Sequence, residues 1–212
     1  MCFKDFIKDY DVVIWDWNGT LLDDLTYTHK VIARILVEEG LEAITVDEYR
    51  QHFGFPVSRY YAALGLPSQG PDFDRVAQKY ITGFHSYDSQ MTLFEDSLEL
   101  LEAAKALNVN QYVLSAANIE HLESQLQAFN IRHYFNDISG ASDIYARGKI
   151  EQAQRMKPYL QERGYKKGVY VGDTDHDYEV SQVLGYDFCF SAKGHQPIEK
   201  LKDHKISYIL RG

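Results

Sequence analysis

Asp16, Ser115, Lys149, Asp173 and Asp177 are the residues whose types and placement could do chemistry. Three carboxylates gathered at one point repel each other unless a hard cation sits among them. Mg²⁺, which favours a few carboxylates together with water and phosphate oxygens, fits that set. A lysine brought to the same point supplies positive charge for a phosphoryl group. Ser115 and the backbone N–H groups that follow it, beginning at Ala116, can donate to the same oxygens. Asp16 is then a carboxylate nucleophile, activated by charge neutralisation at phosphorus rather than by a neighbouring base. Asn18-Gly19 allows a sharp change of direction just after it, and Thr20 offers a hydroxyl to a bound anion or to the turn's own backbone.

These residues converge only if strands and helices bring their ends together. Val12 to Trp15 is a short apolar run of the kind a strand buried on both faces shows, and it ends on Asp16. Gln111 to Leu114 is a second strand, ending at Ser115. Gly168 to Val171 is a third, running into Gly172-Asp-Thr-Asp-His-Asp177. Lys149 follows a glycine and opens a helix to Arg163 that must accommodate Pro158. Further strands are expected at Asp137–Ser139, Tyr186–Phe190 and Ile206–Leu210, and helices from Ser97 to Leu107, Asn118 to Phe129 and Tyr178 to Leu184. Strands separated by helices imply right-handed crossovers and a parallel sheet covered on both faces, with ligands at the strands' carboxyl ends. The fold class is α/β, a Rossmann-like three-layer core with a mainly parallel sheet.

Residues 21–93 break this alternation. Tyr27–Glu39, a helix opened by the capping box Thr45-Val-Asp-Glu48, Ser58–Leu64 and Phe73–Phe84 are helical, with Gly54 and Pro56 interrupting. The expected organisation is a core of residues 1–20 and 94–212 carrying a helical cap of residues 21–93. Asp23 and Asp24 form the acidic lead into it. Arg50, His52 and Arg59 flank the Gly54/Pro56 break, and Arg50 and His52 are candidates for meeting an anionic group of a substrate. The sixteen tyrosines read as packing and surface.

Composition narrows the field. The chain has 212 residues, 45% of them hydrophobic, and a formal net charge of −9. That balance argues against nucleic acid and against an anionic membrane surface, both of which need basic patches. Two cysteines give no disulfide framework, and Cys189 reads as a small buried hydrophobe. The N-terminus is too charged for a signal peptide and no apolar run nears the ~20 residues of a membrane span. A cytoplasmic protein, monomer or homodimer, is expected.

In order and in element, Asp16-Trp-Asn-Gly-Thr20, Ser115, Lys149 and Gly172-Asp-Thr-Asp-His-Asp177 resemble the four signature motifs of the haloacid dehalogenase-like hydrolase superfamily. The inserted helical segment resembles the cap of its phosphoglycolate-phosphatase-like branch. The resemblance implies a phospho-aspartyl intermediate on Asp16. It implies Mg²⁺ held by Asp16, the backbone carbonyl of Asn18, Asp173 and Asp177, with Ser115 and Lys149 on the transferring phosphoryl. Lys157, Lys166 and Lys167 compete with Lys149 for the lysine's place. His176, inside the metal loop, is a neighbour of the site.

One position departs from the pattern. The family's phosphatases carry an aspartate where this chain has Asn18, and that aspartate protonates the leaving group and then deprotonates the attacking water. An amide holds geometry but exchanges no proton near neutral pH, and positioned acid–base catalysis is typically worth ~10²–10⁴-fold. Two readings follow: a Mg²⁺-dependent phosphatase of small phosphorylated metabolites, slowed or selective for leaving groups that need no proton, or a family fold kept as a phospho-ligand or protein-binding module.

Overall fold

The computed structural model describes residues 2–212. In chain order the elements are α1 (Phe3–Ile7), β1 (Val12–Trp15), β2 (Leu22–Asp23), α2 (Leu25–Glu38), α3 (Val46–His52), α4 (Val57–Ala63) and α5 (Gly70–His85). They continue with β3 (Thr92–Leu93), α6 (Ser97–Ala106), β4 (Asn110–Asn118), α7 (Ile119–Ala128), β5 (Asp137–Ala141), α8 (Ile150–Glu162), β6 (Gly168–Gly172), α9 (Asp175–Leu184), β7 (Asp187–Ser191) and β8 (Tyr208–Leu210).

Six strands form one sheet in the order β5-β4-β1-β6-β7-β8, every neighbouring pair parallel. The sheet is the middle of three layers. Side chains alternate along β1, so Val13 and Trp15 pack on one face with Leu101 and Leu122, while Val12 and Ile14 pack on the other with Leu160 and Val180. Both faces are covered, which is why β1 reads as an unbroken apolar run. Cys189 is fully buried on β7, as its apolar setting implies.

Between β2 and β3, helices α2 to α5 assemble a separate apolar cluster around Val31, Ile35, Tyr49, Tyr61 and Val76. The Thr45 capping box forms as its spacing predicts, Thr45 Oγ1 accepting from Glu48 N at 3.2 Å and Glu48 Oε2 accepting from Thr45 N at 2.7 Å. The sequence pattern shows no strand in this region, yet Leu22–Asp23 and Thr92–Leu93 pair antiparallel where the chain leaves for the helices and returns. Two-residue strands are too short to impose a period-2 pattern.

Other elements also differ from the sequence reading, among them the start of α5 at Gly70, the end of β5 at Ala141 and the start of β8 at Tyr208. α1 is five residues long, below the length at which helical periodicity shows. β4 runs on from Leu114 through Ser115 to Asn118 with an irregularity in its pairing, because Asn118 both pairs with Ala141 and caps α7. α9 begins at Asp175, since Thr174 and Asp177 form a capping box there. No helix among the described residues is long and apolar enough to cross a membrane.

Candidate active site

β1 lies at the point where the strand order reverses, flanked by β4 and β6. Open parallel sheets leave a crevice at such a point, outside the carboxyl ends of the strands. Asp16 follows β1 directly and stays tied to the ladder, its N–H donating to Val171 O at 2.8 Å. Asp173 follows β6 and Asp177 lies in the first turn of α9. One carboxylate oxygen of each of Asp16, Asp173 and Asp177 lies within 4.8 Å of the others.

Lys149, the residue before α8, enters this cluster and is 1% exposed. Its Nζ donates to Asp16 Oδ1 at 2.9 Å and to Asp177 Oδ1. Lys157 is spent elsewhere, on Val183 O at 2.7 Å, and Lys167 lies over the Tyr10 ring. His176 holds Lys149 in register: its Nε2 accepts the Lys149 backbone N–H at 2.8 Å, leaving Nδ1–H to donate to Glu179 at 2.9 Å. A Cβ at position 148, where Gly148 has φ +116°, would run into that ring.

Asp177 is largely a structural acceptor. Its Oδ2 takes hydrogen bonds from Asp173 N, Thr174 N and Thr174 Oγ1 at 3.1, 3.0 and 2.7 Å. Burial pushes its carboxyl up, but Lys149 and these donors outweigh it and hold Asp177 below the usual carboxylate range. Asp16 is the opposite case. Burial drives it well above that range, Lys149 opposes, and Asp177 and Asp173 add to the rise. For Asp173, burial is countered by His195 and reinforced by Asp177, leaving it at about 6.

Two residues outside the motifs complete the site. Asp24 is no exposed lead into the helices; it is 1% exposed and saturated with donors. Its Oδ2 accepts from Asn18 Nδ2 at 2.9 Å and Thr28 Oγ1 at 3.0 Å, its Oδ1 from Gly19 N at 2.8 Å and His195 Nε2 at 3.2 Å. Burial alone would raise it, yet His195 and these hydrogen bonds hold it below the usual range. His195 donates its backbone N–H to Asp173 Oδ2 at 2.5 Å, and its Nδ1 meets Tyr49 OH at 2.9 Å. Burial would lower the imidazole, but Asp24, then Asp173 and Asp16, lift it to about 9. These carboxylates therefore favour the protonated imidazolium of His195. Its place, in the loop after β7, is a strand end like those of Asp16 and Asp173, and that is the signal by which sequence could find it. Asp24 carries no such signal.

The charge balance tests whether a metal belongs here. Asp16, Asp24, Asp173 and Asp177 are buried against two cations, Lys149 and His195. With all four ionised, two negative charges would be left over, the repulsion that lifts Asp16 and Asp173; one divalent ion would neutralise them, and the donor set, all oxygen, suits a hard cation.

A cavity of about 130 Å³ opens from Asp16, Asn18, Lys149 and Asp173 toward α2 to α5. Ala116, Ala117 and Asn118 reach it; Ser115 is buried behind them, its Oγ accepting from Ala117 N at 3.1 Å and so keeping its own proton to donate. Arg50 and His52 do not line this cavity. Arg50 donates to Ala192 O and Gln196 O, both at 3.0 Å, and His52 is exposed to solvent. The loop between them and α4 reaches the cavity with Phe53 and Phe55 instead.

Known proteins resemble this chain in sequence and in fold. The family described as haloacid dehalogenase-like hydrolase matches residues 13–191, from β1 through β7. The chain belongs to the haloacid dehalogenase-like hydrolases. Within that family, the phosphoglycolate phosphatase of Cereibacter sphaeroides is 26% identical over 204 residues, covering 92% of this chain and 91% of that protein. The phosphoglycolate phosphatase of Rhodobacter capsulatus is 20% identical over 201 residues, covering 89% and 88%. A haloacid dehalogenase-like family protein of Streptococcus pneumoniae shares the fold with a TM-score of 0.79 at 19% identity, over 96% of this chain and 94% of that one. The matched stretch contains the whole acidic cluster of this haloacid dehalogenase-like hydrolase, and His195 lies just past it.

Proposed function

We propose that this protein is a Mg²⁺-dependent phosphatase of small phosphorylated metabolites, acting through a phospho-aspartyl intermediate on Asp16. One observation carries the reading: Asp16, the one carboxylate of the cluster at the end of the central strand, faces both a buried lysine and the cavity. Asp16, Asp173 and the backbone carbonyl of Asn18 would hold the ion, with Asp177 beside them. When bound, it neutralises phosphoryl charge as a Lewis acid.

The chain's own residues do the rest. Lys149, the Ser115 hydroxyl and the backbone N–H of Ala116 bind the phosphoryl oxygens and favour the charge that builds on them in transfer. Asp16 attacks phosphorus. Asn18 orients: with Nδ2 committed to Asp24, its carbonyl oxygen is left to accept a hydrogen bond from the attacking water, but it takes no proton from it. Helices α2 to α5, the proposed cap of residues 21–93, exclude water from the transfer and read the rest of the substrate.

Phosphate release with Mg²⁺ from acetyl phosphate, p-nitrophenyl phosphate and phosphoglycolate tests this, alongside Asp16→Ala. The expected result is turnover that EDTA stops and Asp16→Ala lowers at least ~10²-fold. Turnover that survives Asp16→Ala sinks the mechanism. No turnover with any substrate favours the second reading, a phospho-ligand or protein-binding module, which the missing acid–base group at Asn18 supports.

A further inference from the structure

Beyond the phosphoryl site, the cavity is a chamber of aromatic rings. Phe53, Phe55, Tyr60, Tyr61, Phe73 and Tyr145 are among its walls. Phe53 packs against Tyr60 and His195 with ring centroids 5.4 and 5.1 Å apart, and Phe73 stacks on Tyr145 at 5.7 Å. The volume, about 130 Å³, is near the ~150 Å³ of an apolar cavity that admits benzene.

Among the described residues the chamber has no uncommitted cation to offer a second anionic group. Lys149 is, among the described residues, the sole lysine on its wall, and no described arginine lines it. Lys149 is held between Asp16 and Asp177. Of the wall's histidines, His195 is committed to Asp24 and Tyr49, and His121 to Asp88 at 2.9 Å. His85 is stacked on His121 at 3.8 Å, and burial, then that neighbour, lower its pKa. A carboxylate such as that of phosphoglycolate would be desolvated here without a cationic partner, which is costly.

A second observation points to a ring with a polar substituent. Tyr60, one of the residues of this wall, carries a buried OH with no hydrogen-bond partner among the described residues. Buried hydroxyls are nearly always satisfied, so an orphan on a residue of the cavity wall fits a ligand that brings a polar atom with its ring.

Resting on the phosphotransfer reading above, we propose that the substrate is an aryl phosphate monoester, a phosphorylated phenolic ring uncharged apart from its phosphate, with the ring in the aromatic chamber. Asn18 fits this class. As the Asp16 oxygen bonds to phosphorus, the bond from phosphorus to the phenolic oxygen breaks and the electron pair leaves with the ring. Phenols have a pKa near ~10, so the phenoxide departs without a proton and takes one from water afterwards. Water then attacks the phosphorus of the acyl phosphate; its oxygen stays in inorganic phosphate, one proton with it and one released to solvent, and the Asp16 carboxylate returns. An alkyl ester would need the proton that Asn18 cannot give.

Steady-state phosphate release with Mg²⁺ from phenyl, p-nitrophenyl, acetyl and glycerol phosphates and from phosphoglycolate tests the assignment. Acetyl phosphate has a good leaving group and no ring, so it reports the phosphotransfer machinery by itself. Phenyl phosphate should exceed glycerol phosphate and phosphoglycolate in kcat/KM by at least ~10²-fold. Phe55→Ala, in a partly exposed loop, should lower kcat/KM for phenyl phosphate ~10-fold further than for acetyl phosphate, mainly through KM. Acetyl phosphate turnover with phosphoglycolate equal to or better than phenyl phosphate overturns the aryl assignment and leaves the phosphatase standing. So does an equal response of both substrates to Phe55→Ala. Failure with every substrate, acetyl phosphate included, overturns both.

Discussion

Asn18 donates its side-chain amide to Asp24 Oδ2 at 2.9 Å. A carboxylate only accepts, so the bond fixes which end of the amide faces Asp24 and which faces the cavity. The two residues are a matched pair: an asparagine at position 18 satisfies Asp24, whereas an aspartate would set carboxylate against carboxylate. The departure from the family pattern at Asn18 is thus accompanied by a partner that suits it.

Asn18→Asp should therefore do two things. Turnover of alkyl phosphates should rise by ~10²–10⁴-fold as an acid–base group appears. The fold should lose stability at pH 7, because a pair of buried carboxylates in contact has its pKa raised and must take up a proton. Sign follows from that rise: the penalty is present above the raised pKa and shrinks as pH falls through it. Adding Asp24→Asn should recover part of the loss. Melting temperatures of the single and double variants from pH 5 to 8 check this; a single variant as stable as the parent would contradict the pairing.

Lys149→Met removes the cation from among buried carboxylates and should cost about 3–5 kcal/mol. Because a divalent ion offsets the same charge, millimolar Mg²⁺ should narrow the deficit, as any ligand of the native state does. Urea denaturation with Mg²⁺ and with EDTA decides. A deficit of equal size in both would mean that Lys149 and the metal do not share the cluster.

Glu39 clasps α5 to α2. Its carboxylate accepts from Arg75 at 2.5 and 2.8 Å and from Lys79 at 3.0 Å, and these bonds hold it down at about 2, below its ordinary 4.5. A lowered pKa contributes stability above the unfolded value and loses it as pH falls toward the folded one. The melting-temperature gap between the parent and Glu39→Gln should hold above about 4.5 and close between 4.5 and 2. A gap independent of pH would show that the clasp works by packing.

Tyr60→Phe deletes a buried hydroxyl with no hydrogen-bond partner among the described residues. Losing it should raise stability, by about 1 kcal/mol, since desolvation of an unsatisfied group is removed and no bond is lost. Differential scanning calorimetry of ligand-free protein measures this. A drop in melting temperature would show that the hydroxyl is satisfied in solution.

Legibility in the sequence followed local pattern. Val12–Trp15 and Gly168–Val171 announce themselves because strands buried on both faces are continuous apolar runs, and each ends in the polar residues that function needs. The helices α2, α3 and α5 carry periodicity or a capping box. Asp24 is opaque because its importance lies in meeting His195 across 171 positions of chain, a tertiary event without local signature, whereas His195 shows only as a residue following a strand end. Arg50 misleads for a related reason: beside a loop that faces the cavity, its guanidinium turns to the carbonyls of Ala192 and Gln196. Residue type suggested a ligand-binding cation, and burial of two strand-loop carbonyls claimed it first.

The ribbon of β2 and β3 pairs Leu22 with Leu93 and Asp23 with Thr92, so the chain departs from the sheet and rejoins it at one doorway. Such a doorway makes the intervening helices a cassette. Exchange, enlargement or trimming of that cassette leaves the two ends where they were, about 5 Å apart, and leaves β1, β4 and β6 undisturbed. Heredity can then vary what the protein recognises without editing how it reacts, and a laboratory graft between Asp24 and Met91 can do the same.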